Sequence, residues 1–459
     1  MSNGGDEIRN YDCNDVSKLL FSSRHGSTEP FVGPIGVVDT NQVVQGRGLV
    51  ATRDVAAGEC LFITPPTVCA PVADIRRILP SQRSLESITE TVLLKNMKRS
   101  LRNADKSVAA SFMLLTDGSN QATSEGDGTD TEEVTPDVVE NKDLIPLLLG
   151  RPAQLPDGTK KGIEPWWKGR VDDKKLLGII RHNAFGPEFH NYDRMAENVA
   201  SFAAYGRVLG MYPVAAMINH SCEPNAVRVF AGETMIVHAC TGIKSGEEIV
   251  WSYIPTSKPW SVRQEQLLSK FGFQCCCHRC SVESSVPVEM ANAEQRLADF
   301  GVVNAVLSTS QIVAVERFDK TLKSSGLTNE HQRYRRVSFL HAYLNLINTL
   351  LMKGGSKPGS NTDTQTRNKV MSIATETHLA LSGCNNACTE HISILHLCYE
   401  LSSGDRNKAK FWADQLRRAH CVRYGKLGND VANVRPVLQH TRTVLRSKDG
   451  MLQRKWLFL

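Results

Sequence analysis

Short apolar runs broken by turn residues fill the first part of the chain. Ile35–Val38 and Leu49–Ala51 are strand-like and flank Gln45-Gly46-Arg47-Gly48, which reads as a turn. Ala57-Gly58 predicts a second turn into the strand-like Cys60–Ile63. Pro65-Pro66 stops that strand, because proline has no amide hydrogen for a ladder. Over residues 84–115 the spacing of Leu85, Ile88, Val92 and Leu93 becomes that of a helix. Leu144–Leu149 is apolar but too short to assign. Turn-rich strands cease near residue 288. Beyond it Val337, Leu340, Tyr343, Leu344 and Ile347 recur at three- and four-residue steps, and His391–Leu401 and Lys408–Tyr424 repeat the theme. GGSKPGSNTDTQT reads as a loop between two of these helices. The pattern predicts an α+β chain, with small β-sheets first and an all-α half after them.

The 459 residues give room for two to four domains at roughly 100–200 residues each. No apolar run approaches the ~20 residues that cross a bilayer, so no membrane is expected. MSNGGDEIRNYDCNDVSKLL lacks the basic and apolar regions of a secretory signal. The net charge of +6 hides an asymmetry. Residues 116–140 hold eight acids and no Lys or Arg, so the remainder carries +6 − (−8) = +14. That acidic stretch is of low complexity and is expected to be disordered. The basic remainder fits an acidic partner only weakly, and an ordinary solvated surface reads equally well. Direct nucleic-acid binding is not expected. Thirteen cysteines in a leaderless chain argue for reduced thiols, and so for a cytoplasmic or nuclear location.

Three segments gather the residues with chemistry: NHSCEPN at 219–225, GEEIVWSY at 246–253 and FGFQCCCHRC at 271–280. In the last, Cys275, Cys277 and Cys280 form C-x-C-x-x-C. A short hairpin supplies three thiolates to a tetrahedral zinc from such spacing, and the fourth ligand must come from elsewhere. Buried free thiols are the plain alternative. A lone G-x-G such as Gly46-Arg47-Gly48 is more often a turn than a site, although without Cβ atoms its backbone can approach a ligand closely. A single tyrosine after an apolar strand, such as Tyr253, is usually core.

In this order and spacing, with GRGLVATRDVAAGECLF upstream, the segments resemble the SET-domain lysine methyltransferases, and within them the SET-and-MYND subfamily. The resemblance covers residues 35–63 and 183–280 and, more weakly, the helical half. It implies a SET domain of small β-sheets with a pseudoknot at Asn219-His220, a post-SET zinc site, and an all-α tetratricopeptide-like C-terminal domain. The chain then divides into an irregular N-terminus (1–34), the first part of the SET domain (35–66), a helical insert with the acidic loop (67–172), the SET core (173–270), the zinc segment (271–287) and the helical domain (288–459). S-adenosylmethionine and zinc are the cofactors implied. Gly46, Arg47 and Gly48 match the turn at the amino-acid end of S-adenosylmethionine. Asn219 and His220 match its adenosine contacts, Asn183 a further polar contact, and Phe273 the aromatic against its adenine. Tyr253 matches the family's essential tyrosine, beside the cofactor, and Phe185 and Tyr212 match aromatic positions of the lysine channel. Cys222 would complete the zinc site with Cys275, Cys277 and Cys280, and the pattern skips Cys276.

The chemistry agrees with that set. A lysine ammonium with an ordinary pKa near 10.4 must lose a proton before it can attack a methyl carbon. An apolar channel beside a cationic sulfonium depresses that pKa, aromatic walls accept the stem, and a phenol hydroxyl orients the amine. The partner implied is a protein carrying a target lysine, a histone tail or another, and the helical domain is a second surface for protein partners. The chain departs from the subfamily in one respect. Between Phe62 and Asn183 it has one cysteine, Cys69, and one histidine, His182, which leaves no ligands for a MYND finger. The segment GPEFHNYDRMAENVASFAA after Phe185 is also extra and bears on the channel. A SET-fold scaffold with little or no catalysis is the competing reading. A zinc hydrolase fails for want of an H-E-x-x-H or similar open site.

Overall fold

A computed structural model describes residues 30–40, 46–71, 85–103, 106–115, 144–149, 171–185, 208–231, 234–297, 306–353, 361–384, 388–424 and 437–438. Three small sheets form its first half. One has the order β1 (Phe31–Val32), β4 (Cys60–Thr64), β10 (Thr234–Ala239), β9 (Ala226–Ala231), antiparallel throughout. The second runs β2 (Ile35–Thr40), β3 (Gly46–Ala51), β11 (Glu248–Trp251), β8 (Asn219–His220). Here β8 lies parallel to β11, with Asn219 opposite Val250 and His220 opposite Trp251. The third joins β5 (Val68–Pro71), β7 (Val208–Met211) and β6 (Ala184–Phe185).

The first sheet is a partition between two cores. Every residue of β4 and β10 is buried, which explains why CLFIT and TMIVHA are mostly apolar rather than alternating. Leu61, Phe62, Met235 and Val237 belong to a core shared with Val37, Leu49 and Ile249. Helices α1 (Leu85–Asn103), α2 (Lys106–Met113), α3 (Leu144–Leu148) and α4 (Asp173–Asn183) close that core through Leu93, Met97, Phe112 and Ile180. Cys60, Ile63, Val229 and Ile236 instead pack against the helical half.

That half begins with α5 (Trp260–Phe271), α6 (His278–Glu283) and α7 (Val288–Gln295). It continues through α8 (Thr309–Ser324), α9 (Asn329–Ser338), α10 (Leu340–Lys353), α11 (Asn361–Ser382), α12 (Thr389–Leu401) and α13 (Arg406–Tyr424). Tyr334, Leu344, Leu395 and Leu416 are its inward side chains against the sheet. Among the described residues no helix is long and apolar enough to cross a membrane.

Several sequence expectations need correction. Phe31 and Val32 lie in the stretch read as irregular, yet they form a strand because Ile63 and Phe62 offer them an edge. Gly46-Arg47-Gly48 is not a turn. It opens β3, with Gly46 opposite Thr40 and Gly48 opposite Val38. Val68–Pro71, placed in the helical insert, is a strand beside β7. The single period from Val337 to Ile347 crosses two helices. Phe339 leaves helical geometry (φ −112°, ψ 26°) and packs its ring on Phe318, 4.9 Å away. GGSKPGSNTDTQT is no loop from Asn361 onward, where α11 begins. The acidic stretch 116–140 and the extra segment after Phe185 lie outside the described residues.

Candidate active site and metal centre

The second sheet positions the polar residues. Asn219 and His220 run alongside β11, and the chain after them stays pinned to it. Ser221 N–H donates to the Trp251 carbonyl at 2.9 Å and Asn225 N–H to the Val250 carbonyl at 3.1 Å. The Asn225 side chain bridges the same strand, accepting from Val250 N–H at 2.8 Å and donating to the Glu248 carbonyl at 2.7 Å. This buried amide fixes where β11 ends and therefore where Tyr253 emerges.

The Tyr253 hydroxyl donates to the Ile218 carbonyl at 2.8 Å. Its ring stands 5.2 Å from His220, 5.0 Å from Phe271 and 6.3 Å from Phe273. Burial first, and the Glu248 carboxylate second, hold the phenol well above its ordinary pKa. It is a neutral donor at physiological pH. His220 Nδ1 accepts from the Tyr253 amide at 2.9 Å, so its proton sits on Nε2, 3.3 Å from Cys222 Sγ. One imidazole thus ties the tyrosine's backbone to the cysteine cluster.

Cys222, Cys275, Cys277 and Cys280 have their sulfurs within 4.8 Å of one another. A tetrahedral zinc with Zn–S near 2.3 Å needs sulfurs about 3.8 Å apart, which lies inside the 4.8 Å limit of this cluster. The neighbouring thiols, Cys275 first, hold Cys222 far below the ordinary thiol pKa. A ring of thiols around a thiolate is a ligand set that calls for a cation. Cys276 is exposed and stands apart from the cluster, as the skipped position should. The fold brings the fourth ligand from a distant segment: Gly272 (φ +75°) ends α5 and turns Phe273 and Cys275 back toward Cys222. The cluster packs with Ile254 and Leu267, and the rings of Tyr253, Phe271 and Phe273 lie against it.

The residues expected around the cofactor converge in part. Asn219 Nδ2 donates to Glu248 Oε1 at 2.8 Å and lies 3.4 Å from the Arg47 carbonyl, which brings β3 to β8. Phe273 is 5.8 Å from the His220 ring. Gly48 is buried beside Val38. The Arg47 guanidinium points elsewhere, donating to the Leu114 carbonyl at 2.9 Å. Asn183 is buried at the end of α4 and donates to the Ile179 carbonyl at 2.8 Å. Both His220 nitrogens are engaged within the chain.

Phe185 and Tyr212, the two aromatics expected along a channel, meet edge to face at 6.1 Å. Two further members were not read from the sequence. Trp251 stands 5.4 Å from Phe185, and the Arg228 guanidinium lies over both rings, 4.7 Å from Trp251 and 5.6 Å from Phe185. Burial, with the Arg423 charge, pushes Arg228 down to about 10. Trp251 was findable, two residues before Tyr253 at the end of β11. Arg228 carries no local signal, because an arginine in a strand is ordinarily solvated.

A family model described as "SET domain" matches residues 46–254. The histone-lysine N-methyltransferase ASHR1 of Arabidopsis thaliana is 36% identical over 93 residues, covering 20% of this chain and 19% of that protein. Set5 of Schizosaccharomyces pombe, also described as a histone-lysine N-methyltransferase, is 41% identical over 76 residues, 16% and 24% of the two chains. SMYD3 of Homo sapiens, of the same description, is 32% identical over 87 residues, 19% and 20% of the two chains. The matched stretches thus span about a fifth to a quarter of these relatives' own lengths. Residues 46–254 are a SET domain, and the chain is related to the SET-domain lysine methyltransferases of the SET-and-MYND group.

Proposed function

We propose that the chain transfers a methyl group from S-adenosylmethionine to the ε-amine of a lysine in another protein, a histone or otherwise. The observation that carries this reading is Tyr253. Its neutral hydroxyl is held on the Ile218 carbonyl in an apolar, aromatic setting, at the end of the strand that carries Asn219-His220 alongside.

The donor set near β8 fits a nucleoside-bearing cofactor. The Asn219 amide, the Arg47 carbonyl and the Phe273 ring offer a polar edge and a stacking face within one neighbourhood. S-adenosylmethionine, when bound, supplies an activated methyl group on a sulfonium. The chain's own residues prepare the acceptor. Phe185, Tyr212 and Trp251 take the lysine stem and exclude water. Desolvation there, with the Arg228 cation close by, favours the uncharged amine over the ammonium. Tyr253 holds that amine in line, and positioning accounts for most of the rate gain.

Zinc bound by Cys222, Cys275, Cys277 and Cys280 would be structural, since all four positions are protein thiolates. It would keep Phe271 and Phe273 against Tyr253. Purified protein is expected to carry about one zinc per chain. Cys277→Ser should lower the Tm and abolish S-adenosylhomocysteine binding, because metal affinity is coupled to folding. Well-folded protein without zinc by metal analysis would refute the assignment. Mass spectrometry of a lysate methylated with and without the protein would name the substrate. A chain that binds no S-adenosylhomocysteine would instead be a SET-fold scaffold.

A further inference from the structure

We propose that Arg263 is a positioning residue of the metal centre, through which the helical half of the chain holds the thiolates that back Tyr253. This rests on the zinc reading above. Arg263 lies on α5 and is fully buried. Its Nε donates to Cys222 Sγ at 3.3 Å, and its Nη2 points to Cys280 Sγ at 3.9 Å. Its other contacts run toward the helices. Nη2 donates to Glu283 Oε2 at 2.5 Å, and Nη1 donates to Ser338 Oγ at 3.1 Å and to the Lys258 carbonyl at 2.5 Å.

Arg279 converges on the same carboxylate oxygen. It donates to Glu283 Oε2 at 2.8 Å and to Ser338 Oγ at 3.0 Å, and reaches back to the Cys222 carbonyl at 3.3 Å. The Ser338 hydroxyl donates to the second oxygen of Glu283 at 2.6 Å. Arg335 of α9 secures the Glu283 carbonyl at 2.5 Å and pairs its own charge with Glu294 at 2.8 Å.

The charges of this cluster do not balance by themselves. Two fully buried guanidinium groups share one buried carboxylate. A surplus buried cation is costly unless an anion faces it. The missing anion is the metal centre, where four thiolates outweigh a divalent ion by two charges. An N–H···S bond to a ligating thiolate fixes its orientation and tunes the metal, as partners of bound histidines do. The same Cys222 sulfur receives His220 Nε2 at 3.3 Å, and His220 holds the Tyr253 amide. Arg263 and His220 therefore address one sulfur, one from the helical half and one from beside Tyr253.

The test uses the full chain and two readouts: zinc release to a chromophoric chelator, and the thiolate-to-metal band of the cobalt(II)-substituted protein. The informative variant is Arg263→Gln, because Arg279 and Ser338 still satisfy the Glu283 carboxylate. It removes the surplus cation and the Nε–H···S bond to Cys222 together. The expected result is a Tm close to wild type, zinc release accelerated on the order of tenfold or more, and a charge-transfer band moved to longer wavelength. If Arg263→Gln folds with wild-type release and an unmoved band, the network is only structural and the proposal is overturned. If it does not fold, Ser338→Ala loosens both arginines and is read in the same way. There, faster release supports the proposal and unchanged release overturns it. A wild-type chain without zinc would refute the metal reading first, and this proposal with it.

Discussion

The Tyr253 hydroxyl and the His220 imidazole do different jobs although their rings lie 5.2 Å apart. The phenol faces the Ile218 carbonyl, whereas the imidazole spends both nitrogens on the Tyr253 amide and Cys222. His220→Ala is therefore expected to weaken S-adenosylhomocysteine binding and to speed zinc loss together. Calorimetry and chelator release measure the two effects, and a variant that loses one alone would contradict the shared link. The residues of this site were legible in unequal measure. The four clustered cysteines and Tyr253 stand in motifs whose order and spacing are specific. Arg263, Arg279 and Glu283 gave no sign of themselves, because charged residues on amphipathic helices are ordinarily solvated. Only the three-dimensional meeting of α5, α6 and α9 buries them.

At the scale of the element, an apolar run announced a strand correctly at Cys60–Ile63, where both faces are covered, whereas Thr234–Ala239 was not read as one. Two-residue strands such as Phe31–Val32 and Ala184–Phe185 were not legible, since their pairing depends on a partner edge remote in sequence. Turn chemistry was legible at Gly58, which has φ +81°. A Cβ there would lie 3.2 Å from Cys421 Sγ of α13, so that turn also seats the last helix. Gly58→Ala is expected to cost about 1–3 kcal/mol, seen as a lower midpoint in urea. Ser308 caps α8 in a reciprocal box with Gln311. Ser308→Ala should cost about 1 kcal/mol without affecting zinc or cofactor binding, and a larger loss would mean that α8 docks through its cap.

At the scale of the whole molecule, the helical half shares a sheet with the SET domain and is no appendage. His238, on β10, lies at that junction, and burial pushes it down to about 4 from an ordinary value of 6.5. Its unfolded form binds the proton first on acidification, so stability is complete above about pH 6.5 and falls as the pH drops toward 4. The full effect is about 3 kcal/mol for a group this buried. Urea midpoints between those limits should follow this slope, and His238→Gln should flatten it. An unaltered slope would assign the acid lability to other groups. The division into a sheet-rich half and a helical half was legible from the change of period, but the boundary read near residue 288 is late, since the last strand ends at Trp251 and the helical half begins at Trp260. Their shared core was not, because the unbroken run of β4 does not say which element covers its second face.

The central claim is that the Tyr253 hydroxyl acts on a lysine amine during methyl transfer. The most direct measurement is single-turnover transfer from S-adenosylmethionine to protein lysine, comparing the unmutated chain with Tyr253→Phe and paired with calorimetry on S-adenosylhomocysteine. The account predicts turnover lower on the order of a hundredfold or more, with cofactor affinity, zinc content and Tm nearly unchanged, because the ring still packs against Phe271 and only one donor is lost. Wild-type turnover in Tyr253→Phe would contradict it.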